Sequence, residues 1–136
     1  MAGTLTQNSW VCVRTADIWY CKLSWTDDTT GISAATIYVN DTYNGMNVVG
    51  KWLSVGITDP GATAPTADYD IYVRNPTFGN IDVFQGGLEN RSATVTEATM
   101  YTTAPIPITI DGLTFTLSGN SVNGALGDLW LITAAN

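Results

Sequence analysis

The sequence predicts an all-β fold: a single antiparallel β-sandwich of about eight or nine strands, with jelly-roll or immunoglobulin-like topology. Only 12% of the 136 residues are charged, about half the usual share, and Thr, Ser, Asn and Gly take their place. That composition suits strands and tight turns. Turn signals also recur about every 8–12 residues, which is the spacing of a sandwich or barrel.

The chain is predicted to be one domain over residues 1–136. Its length fits a single core, 45% of the residues are hydrophobic, and no repeat or linker divides it. The first seven residues carry neither a basic nor an apolar region, so no signal peptide is expected. Residues 1–7 are interpreted either as a flexible arm or as a strand, including Thr4 and Leu5, that adds to the edge of a partner's sheet.

Residues 8–26 are predicted to form the first hairpin, with Ala16 and Asp17 as a two-residue turn. In that register Cys12 lies directly opposite Cys21, in a pair whose side chains approach closely. A cross-strand disulfide is therefore conceivable, but two free cysteines are favoured in a reducing compartment. A metal site is disfavoured because the chain has no His and only two Cys. One face is expected to carry Trp10, Cys12, Trp19, Cys21, Leu23 and Trp25.

Strands and turns are predicted to alternate through the middle of the chain. Residues 35–39 form a short strand, Asn44-Gly45 marks a hairpin turn, and residues 48–57 form the next strand. One face of that strand is expected to carry Leu53, Val55 and Ile57, and the other Trp52 and Ser54. Residues 59–65 are rich in Pro and Gly and form a rigid loop.

The clearest strand covers residues 68–74, where apolar and polar residues alternate with the period of two that is typical of a half-buried strand. The two alternating sets are Tyr69, Ile71 and Val73, and Asp68, Asp70 and Arg74. A turn over residues 75–80 leads to a second strand over residues 81–84, which Gly86 and Gly87 end.

The last third of the chain is predicted to supply an edge strand, a hairpin and a central strand. Residues 93–103 are expected to be extended, and Pro105 and Pro107 suit an edge position. Residues 108–110 and 113–117 are predicted to pair through an Asp111-Gly112 turn. Residues 129–132 are apolar on both faces, which indicates a central strand.

The charge pattern excludes several classes of function. The net charge is −7 with five scattered cations, so neither nucleic acid nor an anionic membrane is an expected partner. No apolar run approaches the ~20 residues needed to cross a bilayer. Asp27 and Asp28 lack the spacing of an EF-hand and are interpreted as solvated turn carboxylates rather than a Ca²⁺ site.

The chain is also poor in groups that carry catalysis. The absence of His excludes Ser-His and Cys-His nucleophile pairs, and there is no phosphate- or dinucleotide-binding motif. A carboxylate pair for glycoside hydrolysis stays open, because twelve acids could meet in space in many ways. We therefore predict no enzyme, no catalytic residue and no cofactor.

Aromatic residues supply most of the candidate contact residues. Trp19 and Trp25 alternate with other apolar residues and are expected in the core. Trp52, Tyr72 and Tyr20 fall on faces that are otherwise polar, which favours a protein interface over a sugar-stacking platform. The predicted partner contacts are Thr4, Leu5, Tyr20, Trp52 and Tyr72.

Several short motifs follow one another between residues 25 and 132. They are Trp25-Thr26-Asp27-Asp28, the strand and loop from Gly45 to Pro60, Pro65-Thr66-Ala67-Asp68-Tyr69-Asp70-Ile71, Gly79-Asn80-Ile81-Asp82-Val83, Asn90-Arg91-Ser92, and a final hairpin from Pro107 to Ile132. Their order resembles that of a family of small virion structural proteins of tailed bacteriophages. The chain departs from the family pattern at residues 75–77, where Asp and other polar turn residues are more usual.

The resemblance implies a component of the phage particle that is made in the host cytoplasm and located on the virion surface. The expected role is that of a capsid decoration (cement) protein, which binds the outer face of the major capsid protein lattice and contacts other virion proteins. A homo-oligomer is also implied, with a trimer as the first expectation. A tail, neck or fibre-attachment protein and a carbohydrate-binding β-sandwich module are the alternatives.

Overall fold

Strands dominate the regular structure, as the sequence predicts. A computed structural model of the chain describes residues 3–100 and 106–135. The described residues contain a single-turn 3₁₀ helix at Pro76–Phe78 and ten strands. The strands are β1 (Thr4–Gln7), β2 (Val11–Val13), β3 (Ile18–Asp27), β4 (Ile32–Ile37), β5 (Leu53–Pro60), β6 (Asp70–Asn75), β7 (Ile81–Asp82), β8 (Glu97–Met100), β9 (Leu113–Ser118) and β10 (Ala125–Thr133).

Two antiparallel sheets pack face to face, which confirms the predicted all-β sandwich. Sheet A has the order β1-β3-β10-β5-β8. β1 and β2 pair with the same edge of β3, β2 along its first half and β1 along its second half. Sheet B has the order β4-β9-β6-β7. β10 lies between β3 and β5, so the prediction of a central strand near the C-terminus is confirmed.

The inward-facing side chains of the two sheets form one buried hydrophobic cluster. Ile71 and Val73 of β6, and Tyr69 directly before it, are fully buried, as their alternation predicts. From β3 the cluster takes Trp19, Cys21, Leu23 and Trp25, which confirms that these four predicted residues share a face.

Trp25 packs on the backbone of β10 at a position where no side chain intervenes. Its cross-strand neighbour is Gly127, and a Cβ atom placed there would lie only 2.5 Å from Cε2 of the indole. On its other side, the Trp25 ring lies 5.6 Å from the ring of Tyr69, which directly precedes β6 of sheet B, at a tilt of 58°. The glycine therefore lets a large aromatic side chain bridge the two sheets.

Asp27 is a buried structural residue, so its interpretation as a solvated turn carboxylate is wrong. Its Oδ1 accepts the backbone N–H groups of Asp28 and Gly31, both at 2.9 Å, and its Oδ2 accepts the Asn120 amide at 2.8 Å. The Asn120 Oδ1 in turn accepts the Thr66 N–H at 3.0 Å. A carboxylate with several donors satisfies loop backbone that would otherwise be unpaired.

The predicted register of the first hairpin is wrong by two residues. Val13 pairs with Ile18 through a four-residue turn that ends at Asp17 with φ 51°, so Cys12 lies opposite Trp19. Cys12 and Cys21 are therefore not paired, and both are free. The Cys21 thiol donates to the Asn8 carbonyl at 3.2 Å, and burial raises its pKa to about 12.

A β-bulge in β5 changes which residues face the core. Leu53 pairs with Thr133 but Val55 pairs with Ile132, so Ser54 is an extra residue on β5. After the bulge Gly56 and Thr58 face inward, whereas Val55 and Ile57 face outward and are half-buried. The prediction that Leu53, Val55 and Ile57 share one face is therefore wrong.

Two predicted hairpins differ from the structure near their turns. The return strand after residues 75–80 is only β7, and Val83 and Phe84 are buried in the turn that follows. Residues 108–110 do not pair with β9, which pairs with β4 and β6 instead. The reason is that Ile108 exchanges backbone hydrogen bonds with Gly50 and Lys51, at 2.8 and 2.7 Å.

The N-terminal segment belongs to the chain's own sheet. Thr4–Gln7 pair with β3, from Thr4 opposite Thr26 to Gln7 opposite Leu23, so the prediction of a flexible or donated arm does not hold for these four residues. The Asn44-Gly45 turn is confirmed, with φ values of 52° and 77°. Residues 101–103 and Pro105 of the predicted edge segment lie outside the described residues, and Pro107 forms an isolated bridge with Trp52.

We expect Gly127→Ala to lower the free energy of unfolding by about 3 kcal/mol, because the added methyl group would overlap the wedged Trp25 ring. Gly56→Ala is the matched control in the neighbouring strand, since its Cβ would meet only the ends of the Leu88 and Phe84 side chains, at 3.1 and 3.2 Å. Urea unfolding of both variants measures the difference. Equal losses would contradict the role assigned to the Trp25–Gly127 contact.

Thiol labelling should separate the two cysteines. At pH 8 the raised pKa leaves roughly one part in ten thousand of Cys21 as thiolate, so it should resist alkylation until the protein unfolds. Mass spectrometry after iodoacetamide treatment would locate the label. Rapid labelling of Cys21 in the native protein would show that this thiol is not buried.

Candidate protein-binding surfaces

Exposed apolar side chains concentrate on two surfaces of the molecule. Among the described residues, eleven large hydrophobic side chains are exposed. Four lie on the outward side of sheet A, here called the outer face of sheet A: Val11, Val13, Tyr20 and Met100. Six lie in connections at one end of the sandwich, here called the loop end: Tyr38, Tyr43, Met46, Val49, Phe78 and Ile110. The remaining one, Val95, lies at the opposite end.

The outer face of sheet A carries a row of apolar side chains that crosses five strands. Because directly paired residues point to the same side of a sheet, the row follows from the strand register. Its members are Val11, Tyr20, Ile132, Val55 and Met100. The next row contains Lys22, Trp130, Ile57 and Ala98, and the Lys22 ammonium lies 5.3 Å from the Trp130 ring centre. Such a contact keeps the cation over the aromatic ring.

Polar side chains border this apolar area on the side away from the loop end. Asp128 and Asp59 are directly opposite each other on β10 and β5. Asp128 accepts the Ser24 hydroxyl at 2.7 Å and Asp59 accepts the Thr96 hydroxyl at 2.9 Å. The outer face of sheet A is thus divided into an apolar half and an acidic half.

The outward side of sheet B is polar by comparison. Its paired residues are Asp70 with Ser118, Tyr72 with Thr116, and Arg74 with Thr114. The Arg74 guanidinium lies 4.5 Å from the Tyr72 ring centre and donates to the Thr116 hydroxyl at 3.1 Å. The two outer faces of the sandwich therefore differ sharply in apolar character, and only that of sheet A resembles the core of a protein interface.

Hydrogen bonds fix two of the apolar tips at the loop end. The Thr77 hydroxyl lies 2.7 Å from that of Thr109 and 2.9 Å from an Asp111 carboxylate oxygen. These bonds join the turn that carries Phe78 to the turn that carries Ile110, whose side chain is 84% exposed. An isoleucine that is held in place but left in water is a candidate contact residue.

Side-chain hydrogen bonds from Gln7 and Trp10 hold the backbone of Tyr38, whose side chain is 62% exposed. The Gln7 amide accepts the Tyr38 N–H at 2.8 Å and donates to the Tyr38 carbonyl at 2.7 Å, so it pairs with this residue as a strand would. The Trp10 indole donates to the same carbonyl at 2.7 Å. The Tyr43–Met46 hairpin lies beside it in the chain, and Arg14 lies 5.5 Å from the Tyr43 ring centre.

The five predicted contact residues do not form one site. Tyr20 lies in the apolar row, and Trp52 is half-buried at the loop end of sheet A. Thr4 lies on the polar half, where its hydroxyl is 2.7 Å from that of Thr26. Leu5 faces inward and packs against the core, and Tyr72 lies on the opposite side of the sandwich. The face around Tyr20 is apolar, so the expectation of an otherwise polar face is wrong.

Sequence reasoning missed most of the residues that form these surfaces. Val55 belongs to the apolar row only because of the bulge at Ser54, which the alternation pattern does not indicate. The sequence predicts Ile110 to lie in a paired strand, although a place beside Asp111-Gly112 is also typical of a turn. The sequence does indicate Ile132 and Trp130 as surface candidates, because both faces of β10 are apolar.

A buried arginine joins the sheets without forming a reactive site. Arg91 donates through Nε to the Thr58 hydroxyl and through Nη1 to the Gly87 carbonyl, both at 2.9 Å. Its Nε also lies 3.7 Å from a Glu97 oxygen. Burial raises the pKa of the neighbouring Tyr69 hydroxyl, which favours its neutral form.

No protein-family model, curated protein or solved structure matches this chain. Within residues 3–100 and 106–135, no three His, Cys, Asp or Glu side chains form a group that could hold a metal ion. The same residues contain no helix that is long and apolar enough to cross a membrane.

Proposed function

We propose that the protein is a non-enzymatic structural protein of a bacteriophage particle, a capsid decoration protein that binds the outer face of the major capsid protein lattice. The observation that carries this proposal is the loop end, where six of the eleven exposed hydrophobic side chains lie. A surface with clustered apolar tips and a polar opposite pole favours docking of the molecule by one end. The order of the sequence motifs supplies the phage assignment.

The loop end suits docking because its tips are held before contact. Thr77 ties the Phe78 and Ile110 turns together, and Gln7 and Trp10 hold the backbone of Tyr38. Contacts that need no further ordering lose less conformational entropy on binding. Weak contacts of this kind are sufficient for a protein that attaches at many equivalent lattice positions, particularly if its copies are joined.

The charge of the molecule is compatible with this role. The net charge of −7 keeps free copies soluble and opposes their aggregation. Asp59, Asp128 and the Asp27 loop lie toward the pole opposite the loop end. Asp17, Asp41 and Asp111 lie at the loop end, where each accepts a hydrogen bond from within the chain: from Lys51 at 2.6 Å, from the Trp10 N–H at 3.0 Å and from the Thr77 hydroxyl at 2.9 Å, respectively.

The alternatives use the surfaces differently. A tail, neck or fibre-attachment protein would dock through the same loop end but on another virion protein. A carbohydrate-binding module needs coplanar exposed aromatic rings. Tyr20 and Trp130 are diagonal neighbours on sheet A, but aliphatic Ile132, Val55 and Ile57 surround them. This contiguous apolar row is more typical of a protein contact.

Binding to purified phage heads that lack the protein tests the proposal. We expect saturation at a fixed ratio to the major capsid protein, and about ten- to hundredfold weaker binding for Ile110→Asp, because burying an isoleucine contributes roughly 1.5–3 kcal/mol. Titration of heads with fluorescently labelled protein, followed by sedimentation, measures the affinity.

Val95→Asp is the matched control, because it introduces the same charge at an exposed apolar residue of the opposite end. Its affinity should equal that of the unmodified protein. Absence of binding to heads would overturn the decoration role, and binding to purified tails instead would support the attachment alternative. Equal losses for both variants would show that the loop end is not the contact surface.

A further inference from the structure

We infer that the outer face of sheet A binds the same face of a second copy of the chain, which makes the protein a dimer through a surface separate from the loop end. The row from Val11 to Met100 crosses five strands without a polar side chain. In a sheet whose outer side faces only solvent, apolar side chains point inward and polar side chains point outward, as they do in sheet B. The apolar row therefore needs a covering surface.

The size of the apolar area fits the core of a standard interface. The first row spans five strands, the Trp130 row spans four and the Val13–Ile18 pair spans two. With strands about 4.8 Å apart and rows about 6.8 Å apart, these positions cover roughly 350 Å². Stable interfaces bury about 800 Å² per partner, of which the core is apolar and the rim is polar. The apolar rows supply that core, and Ser24, Thr96 and the two aspartates supply part of the rim.

A second copy offers the shape and composition that this face requires. Sheets pack face to face about 10 Å apart when both contact sides are nearly flat and apolar, which is how sheets A and B of this chain already pack. The same face of another copy satisfies both conditions. Such a contact uses identical patches and closes as a dimer, in place of the trimer that the phage resemblance implies.

The aspartates decide the orientation of the two copies. A two-fold axis parallel to the strands would bring Asp59 and Asp128 of one copy toward those of the other, which is unfavourable. An axis along the apolar row instead places the two acidic pairs on opposite sides of the dimer. This axis also places Ile132 of one copy against Ile132 of the second copy. The row that contains Trp130 then faces the Val13–Ile18 pair of the second copy.

Two tyrosines provide a matched test, since Tyr20 and Tyr72 lie on the outer faces of the two different sheets. Sedimentation equilibrium over about 1–100 μM protein should give a dimer for the unmodified chain and for Tyr72→Asp. Tyr20→Asp should raise the dimer Kd at least tenfold. Added salt should leave the dimer as stable or make it more stable, because it screens the repulsion between two acidic copies.

Cross-linking tests the orientation independently of stability. In a Cys12→Ser background, Ile132→Cys should be joined to its counterpart by a short bis-maleimide reagent, whereas Asp128→Cys should not. A monomer at all concentrations, or equal effects of the two tyrosine variants, would overturn the inference. Efficient cross-linking through Asp128→Cys alone would overturn the proposed axis and with it the arrangement argued here.

Different experimental results would contradict the dimer and the decoration role. Tyr20→Asp should still occupy individual sites on phage heads, with lower apparent affinity only to the extent that two linked copies bind together. Ile110→Asp should still dimerise. Loss of head binding with an intact dimer would therefore count against the proposed function, and a monomer that binds heads through Ile110 would count against this inference.

Discussion

Contact between the Trp25 indole and the bare backbone of Gly127 determines how the two sheets meet. Since no Cβ intervenes, the ring reaches from β3 across β10 and still contacts Tyr69 next to β6 of the opposite sheet. The aromatic side chains that fill this part of the core could not pack at the same sheet separation if β10 carried a side chain there. Because this core packing sets how the two sheets lie against each other, it also sets where the side chains of their outer faces lie.

A cluster of polar hydrogen bonds stabilises the loops next to this contact, at the end of the sandwich away from the loop end. Asp27 and Asn120 connect the β3–β4 loop, the loop before β6 and the β9–β10 loop through hydrogen bonds of 2.8–3.1 Å. The polar groups of these loops are hydrogen-bonded within the chain, so they do not depend on a partner protein for hydrogen bonds. The apolar surfaces lie elsewhere, at the loop end and on the adjoining half of sheet A, so the molecule is polarised along its strands.

Much of the fold follows from patterns that act over a few residues. The alternation of Tyr69, Ile71 and Val73, the Asn44-Gly45 turn and the apolar β10 each fix local structure almost independently of the rest. The register of Cys12, the bulge at Ser54 and the place of Ile108 depend on contacts with distant strands, which no short pattern encodes. The candidate surfaces are less predictable for the same reason, because those long-range contacts turn Val55 to the outer face of sheet A and leave Ile110 in an exposed turn.

The place of β10 has a consequence for how the protein is made. β10, which separates β3 from β5, is synthesised more than 100 residues after its partner Trp25. Until residues 125–133 are made, β3 and β5 have no common partner strand and sheet A cannot close. Sheet A must therefore complete its pairing after residue 133 is made, and such non-local pairing is slow. A chain that stopped before residue 125 would leave the tryptophans of β3 without this support and expose them to aggregation.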